Sequence, residues 1–83
     1  MPAAPAERPR KLTYRERHEW EQMEARILQA EGRLATCQQA ADDPAIASDH
    51  AALTERLAAL AEARAAVDGL YARWAELEAK VKV

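Results

Sequence analysis

The residues of this sequence best suited to chemistry are cations crowded near its start. Arg8, Arg10, Lys11, Arg15 and Arg17 fall within ten residues, with Glu16 the one opposing charge among them. Lysine and arginine at that density neutralise phosphates, and the affinity comes from released counterions rather than from base reading. Arg73, Lys80 and Lys82 form a smaller group near the other end. Four aromatic residues accompany these charges: Tyr14, Trp20, Tyr71 and Trp74. Trp20 and Trp74 read as rings that fill a core, whereas Tyr14 and Tyr71 are candidates for base stacking or docking. The candidate nucleic-acid-binding residues are therefore Arg8, Arg10, Lys11, Arg15, Arg17, Lys80 and Lys82. The plainer alternative is a solvated linker followed by a charged first helical turn.

Other chemistry lacks its parts. The two histidines, His18 and His50, fall at opposite ends of the hairpin derived below and so cannot share a metal. The single Cys37 cannot form an internal disulfide and reads as a small buried hydrophobe in a reducing compartment. The sequence has neither a glycine-rich phosphate loop nor a nucleophile elbow, and the carboxylates scatter in a solvated pattern. The expectation is a chain with no catalytic residue, no metal and no cofactor of its own. The formal net charge is −2, so the cationic cluster is local and not a property of the whole chain. No apolar run approaches the roughly 20 residues of a membrane span. Nothing near Met1 resembles a signal peptide, and a cytoplasmic protein with no membrane partner is expected.

Only the fold can bring the two cationic groups together. Alanine, leucine, glutamate and arginine dominate and phenylalanine is absent, a composition for long helices. Apolar or small residues recur at Trp20, Met23, Ile27, Ala30, Leu34, Cys37 and Ala41. A second run follows at Leu53, Leu57, Leu60, Arg64, Val67, Tyr71 and Trp74. Alternating steps of three and four keep a seam on one side of a helix that meets a partner helix. The runs mirror each other, Trp20 pairing with Trp74, Met23 with Tyr71, and so on to Ala41 with Leu53. That is the register of an all-α fold, two long helices in an intramolecular antiparallel coiled-coil hairpin. Arg64, opposite Ala30, reads as a register device in the seam, and Ala63, Leu70 and Leu77 add a stripe beside it. This extra stripe leads us to expect a monomer that self-associates weakly through Leu70 and Leu77.

Residues 1–11 form a Pro/Ala-rich basic linker, and residues 12–83 the hairpin, with helices at about 14–41 and about 50–79 and a turn at 42–49. The linker reads as a tether cut from the end of a larger protein with Met1 as an expression start; the other reading is a short native protein with a free arm. Thr13 and Glu16 fit a capping box at the first helix. Asp43 can cap a single turn that opens with Pro44, Ile46 should fold down over the hairpin, and Ser48 or Asp49 can cap the second helix. Gly32 and Gly69 both fall on the outer face. The hairpin collects the aromatic residues and cations at its open end, and Asp42, Asp43 and Asp49 at its turn.

Lys11-Leu12-Thr13-Tyr14-Arg15-Glu16, followed by Glu19-Trp20-Glu21, resembles the opening of the C-terminal domain of Uup-type ABC-F ATPases. Asp43-Pro44 and Tyr71-Ala72-Arg73-Trp74-Ala75-Glu76-Leu77-Glu78 are similar to later signatures of that domain. The resemblance covers about Lys11 to Ala79; where family members often carry a proline after the residue matching Met23, this chain has Glu24. The resemblance implies a parent with two ATP-binding cassettes, using ATP and Mg²⁺ upstream of this chain, with no membrane domain. It also implies a DNA-binding role for this domain, with ribosomal RNA as another nucleic-acid partner. The alternative is a protein-docking or regulatory arm that contacts the parent's cassettes or the ribosome. A hairpin like the tRNA-binding arm of seryl-tRNA synthetase fits the motifs less well.

Overall fold

A computed structural model describes residues 12–81. Helix α1 spans Tyr14–Ala41 and helix α2 spans His50–Val81, joined by one tight turn of helix at Pro44–Ile46. The helices pack along their lengths as an all-α hairpin. Their direction follows from the bonds between them. Arg56 reaches Ala40, Tyr71 reaches Glu31, Arg73 reaches Glu19 and Lys80 reaches Glu16, so the chain order on α2 runs opposite to that on α1.

Local chemistry sets each boundary. Thr13 Oγ1 accepts from the Glu16 amide at 3.1 Å, and the Thr13 amide donates to Glu16 Oε1 at 3.0 Å. This reciprocal box satisfies two amides that the first helical turn would otherwise leave unpaired. At the turn, Asp43 Oδ1 accepts from the Ala45 amide at 2.9 Å, and Pro44, which has no amide hydrogen to lose, opens the short helix. Ile46 is buried there. Asp49 Oδ1 accepts from the Ala52 amide at 3.0 Å and starts α2.

The core is not centred on the hairpin's length. Met23, Ile27 and Leu77 form its buried cluster, with Leu12, Trp20, Leu70 and Trp74 packed around them, all toward the open end. On α1 the buried and half-buried positions follow Trp20, Met23, Ile27, Ala30, Leu34, Cys37 and Ala41. On α2 the seam departs from expectation. Leu53, Leu60, Val67 and Trp74 face inward, but they alternate with Arg56, Ala63, Leu70 and Leu77. Leu57 is 49% exposed, Tyr71 is 45% exposed and Arg64 is exposed, while Leu77 is fully buried at 0%. The helix is turned by about half the angle between neighbouring residues, roughly 50°. The reason is energetic. A seam through Leu57, Arg64 and Tyr71 would next reach Glu78, placing two charged side chains against an apolar partner. Turning the helix exchanges them for Ala63 and Leu77, and exchanges Leu57 for Arg56, whose guanidinium finds the Ala40 carbonyl; full burial of a leucine contributes about 1.5–3 kcal/mol. Arg64 is thus a surface residue and not a register device. Of the two residues expected to mediate self-association, Leu77 has no surface left to offer and Leu70 is half-buried.

Candidate functional site

The turn of α2 decides which side chains meet at the open end. Of the seven cations singled out above, Arg8, Arg10, Lys11 and Lys82 lie outside the described residues. Arg15 and Arg17 stand exposed in the first turn of α1, with no ion pair among the described residues. They are two positions apart, about 200° around the helix, so they flank the turn and do not share a face. Lys80, in the last turn of α2, is brought against that same first turn, where its Nζ donates to Glu16 Oε2. Glu16 therefore serves twice, one oxygen closing the capping box and the other holding Lys80. The Lys80 bond, with that of the Thr13 amide, keeps the Glu16 carboxyl below the usual carboxylate value.

A second pair follows one turn along. Arg73 Nε donates to Glu19 Oε2 at 2.8 Å and Nη2 to Glu19 Oε1 at 2.9 Å, while Nη1 reaches Glu76 Oε1 at 2.8 Å. These bonds raise the Arg73 guanidinium above its ordinary value and lower the Glu19 carboxyl. Lys80 and Arg73 thus carry much of their charge into bonds across and along the hairpin. At the opposite end, Arg56 Nη1 donates to the Ala40 carbonyl at 2.8 Å and lies 3.5 Å from Asp43 Oδ2. Arg56 adds a short bond to a carbonyl at the end of α1 whose backbone partner, the Asp43 amide, is 3.5 Å away, and the last turn of α1 has no basic residue of its own. Sequence reading missed Arg56, Arg73–Glu19 and Glu16–Lys80. Their signal is the complementary charge at mirrored positions, visible once α2 is turned correctly.

The aromatic residues divide as their exposure dictates. Trp20 and Trp74 meet edge to face, centroids 6.2 Å apart at 65°, against the core cluster. Tyr71 stacks on Trp74 at 6.3 Å and 28°, and its hydroxyl donates to Glu31 Oε2 at 2.6 Å. That bond pushes the Tyr71 hydroxyl above its ordinary value. Tyr14 projects into solvent.

Two of the open hollows along the hairpin have different rims. Arg26 and Arg33 line one beside Gln29, Ala30 and Leu70, so their stems cover the apolar stripe as helix spacing predicts. Glu24 and Glu31 line the other, whose floor is Ile27, Leu28, Tyr71 and Trp74. Tyr71 and Trp74 continue from it into a hollow bordered by Ala75 and Glu78. Charge is thus divided between these two hollows. Among the described residues, no three His, Cys, Asp or Glu gather to hold a metal ion, and no helix is long and apolar enough to cross a membrane.

Comparison with known proteins gives one result. The family described as ABC transporter C-terminal domain matches residues 11–79. No curated protein and no solved structure matches the chain.

Proposed function

Since the chain belongs to the ABC transporter C-terminal domain family, we propose that it is the nucleic-acid-binding accessory domain of an ABC-F-type ATPase, acting through its basic open end. The observation that carries this reading is the contrast among the cations. Arg73, Lys80 and Arg56 are held by carboxylates, whereas Arg15, Arg17, Arg26, Arg33 and Arg64 are exposed without one among the described residues, and of these Arg15 and Arg17 directly continue the run of Arg8, Arg10 and Lys11. The Uup-like opening from Lys11 to Glu16 supports the same assignment. ATP and Mg²⁺ belong in this reading to cassettes elsewhere in a cytoplasmic parent.

The mechanism is phosphate neutralisation. Cations on both sides of one helical turn suit a backbone passing across it and read no sequence. Lys80 contributes less than its position suggests, because leaving Glu16 for a phosphate costs it an existing bond. The dissociation constant should be on the order of 10⁻⁴–10⁻⁶ M at physiological salt. Fluorescence anisotropy with duplex and single-stranded DNA across a salt series tests this. Changing Arg10, Lys11, Arg15 and Arg17 to Gln should abolish most binding and flatten the salt slope by about 1 for each phosphate no longer neutralised. Unchanged binding by that variant removes the open-end reading.

A second reading, a protein-docking or regulatory arm contacting the parent's cassettes or the ribosome, is favoured by exposed Leu28, Tyr71 and Tyr14, which phosphate binding leaves unused. A shallow salt dependence selects it.

A further inference from the structure

The hollow between Glu24, Glu31 and Tyr71 has a chemistry that phosphate binding does not explain. Its floor is apolar and its rim acidic. Leu28 on that floor is 71% exposed, and the Tyr71 ring lies nearly parallel to that of Trp74, open on the outer side. The hydroxyl bond from Tyr71 fixes the Glu31 carboxylate at the edge. Paired aromatic rings take the pyrrolidine rings of a polyproline segment, and carboxylates beside them select one that also carries arginine or lysine.

The chain itself holds a segment of that composition. Pro2-Ala3-Ala4-Pro5 has the P-x-x-P spacing, and Arg8, Pro9, Arg10 and Lys11 follow, with Glu7 the only acid in residues 1–11. The segment enters the fold at Leu12, at the open end, next to the hollow's own end of the hairpin. From Thr13 to Ile27 along α1 is about 21 Å at ~1.5 Å per residue. A polyproline segment of this length spans about 34 Å at ~3.1 Å per residue. It can therefore fold back along α1 and lay Pro5 and Pro2, about 22 and 31 Å along it from Leu12 at ~3.1 Å per residue, on the hollow, with the long side chain of Arg8 reaching toward Glu24.

We propose that the groove of Leu28, Tyr71 and Trp74, rimmed by Glu24 and Glu31, docks residues 1–11 of the same chain. Arg8 then has two competing places to go: the acidic rim at Glu24, or an external anion. The docking stands whether or not that anion is a nucleic acid.

The test uses the full chain and no nucleic acid. A nitroxide is placed on Cys at position 4 (Ala4→Cys) in a Cys37→Ala background, and magnetic-resonance signals of each residue are compared with the reduced label. Leu28, Tyr71 and Trp74 should lose intensity most steeply, Arg26 and Arg33 on the other side less, and Ile46 and Leu53 near the turn should keep theirs. Tyr71→Ala should restore the lost signals, and so should Glu24→Gln with Glu31→Gln, a second variant that leaves the apolar packing intact. Circular dichroism confirms that each variant is folded. Raised salt should weaken the effect, as it screens carboxylate–guanidinium attraction. Absence of signal loss overturns the proposal, and so does a loss greater at Arg26 and Arg33 than at Leu28. Loss that persists when label and isotope sit on separate molecules assigns the groove to a second copy and equally overturns it.

Discussion

Arg73 of α2 grips Glu19 of α1 with two nearly parallel bonds, 2.8 and 2.9 Å long, the fork geometry that guanidinium and carboxylate share. Glu16 holds Lys80 close by. Both carboxyls ionise more readily in the fold than at the ordinary value of 4.5. Their contribution is present above that value and is lost as pH falls through the lowered folded values. The melting temperature should therefore drop on acidification below about pH 4.5. Changing Glu16 and Glu19 to Gln should lower it at neutral pH and flatten the acid fall, while glutamine at position 16 keeps the capping box. Thermal melts by circular dichroism over the acid range check this, and an equally steep acid fall in the double variant contradicts it.

The turned seam of α2 is tested by two leucines. Leu77→Ala should cost about 2–5 kcal/mol, enough to unfold much of a chain this small. Leu57→Ala, at a half-exposed position, should cost less than about 1 kcal/mol. Urea titrations of the two variants give the order directly. The reverse order would restore the seam through Leu57, Arg64 and Tyr71.

Arg56 should matter more than its surface position implies. Arg56→Ala removes a bond to the Ala40 carbonyl and an ion pair with Asp43, at a cost of about 1 kcal/mol. Arg64→Ala, exposed on the same helix, should stay within about 0.5 kcal/mol. Equal losses in denaturant unfolding would show that the carbonyl bond contributes nothing.

The two glycines offer stabilisation. Open space surrounds both Gly32 and Gly69, and both lie within helices. Alanine at each should add about 0.5–1 kcal/mol by removing backbone freedom from the unfolded chain. A combined variant that melts no higher than the parent would contradict this.

The α1 face was legible because it has one choice of stripe: polar or charged residues flank Trp20 and Met23 on both sides, and Leu28 beside Ile27 has no apolar residue at Glu24 or Glu31 to extend a second one. The turn was legible for a related reason, since Pro44 and its aspartates admit few conformations. In α2, alanine is so frequent that two neighbouring stripes look almost equally apolar. Arg64 and Glu78 in one stand against Arg56 in the other, and a period of three and four counts positions without weighing the charge they would bury. The ion pairs across the hairpin were hidden behind the same choice. Glu19 and Arg73 are 54 residues apart, and whether they meet depends on how α2 is turned. The family resemblance reached the domain type without resolving either question.

The tightest cluster, Met23, Ile27 and Leu77, lies far from the turn, so folding cannot proceed simply as a zipper. Closing the chain between Glu19 and Arg73 rather than between Ala40 and Arg56 lengthens the loop from 16 to 54 residues. By the logarithmic law that adds only about 1 kcal/mol of entropy. Burial of Leu77 alone outweighs it. The pairings that form most easily are then not those that hold the hairpin, and the transition is all-or-none. Amide exchange should accordingly be slowest around Met23 and Leu77 and faster beside Ile46, an order opposite to that of a hairpin that frays from its free ends.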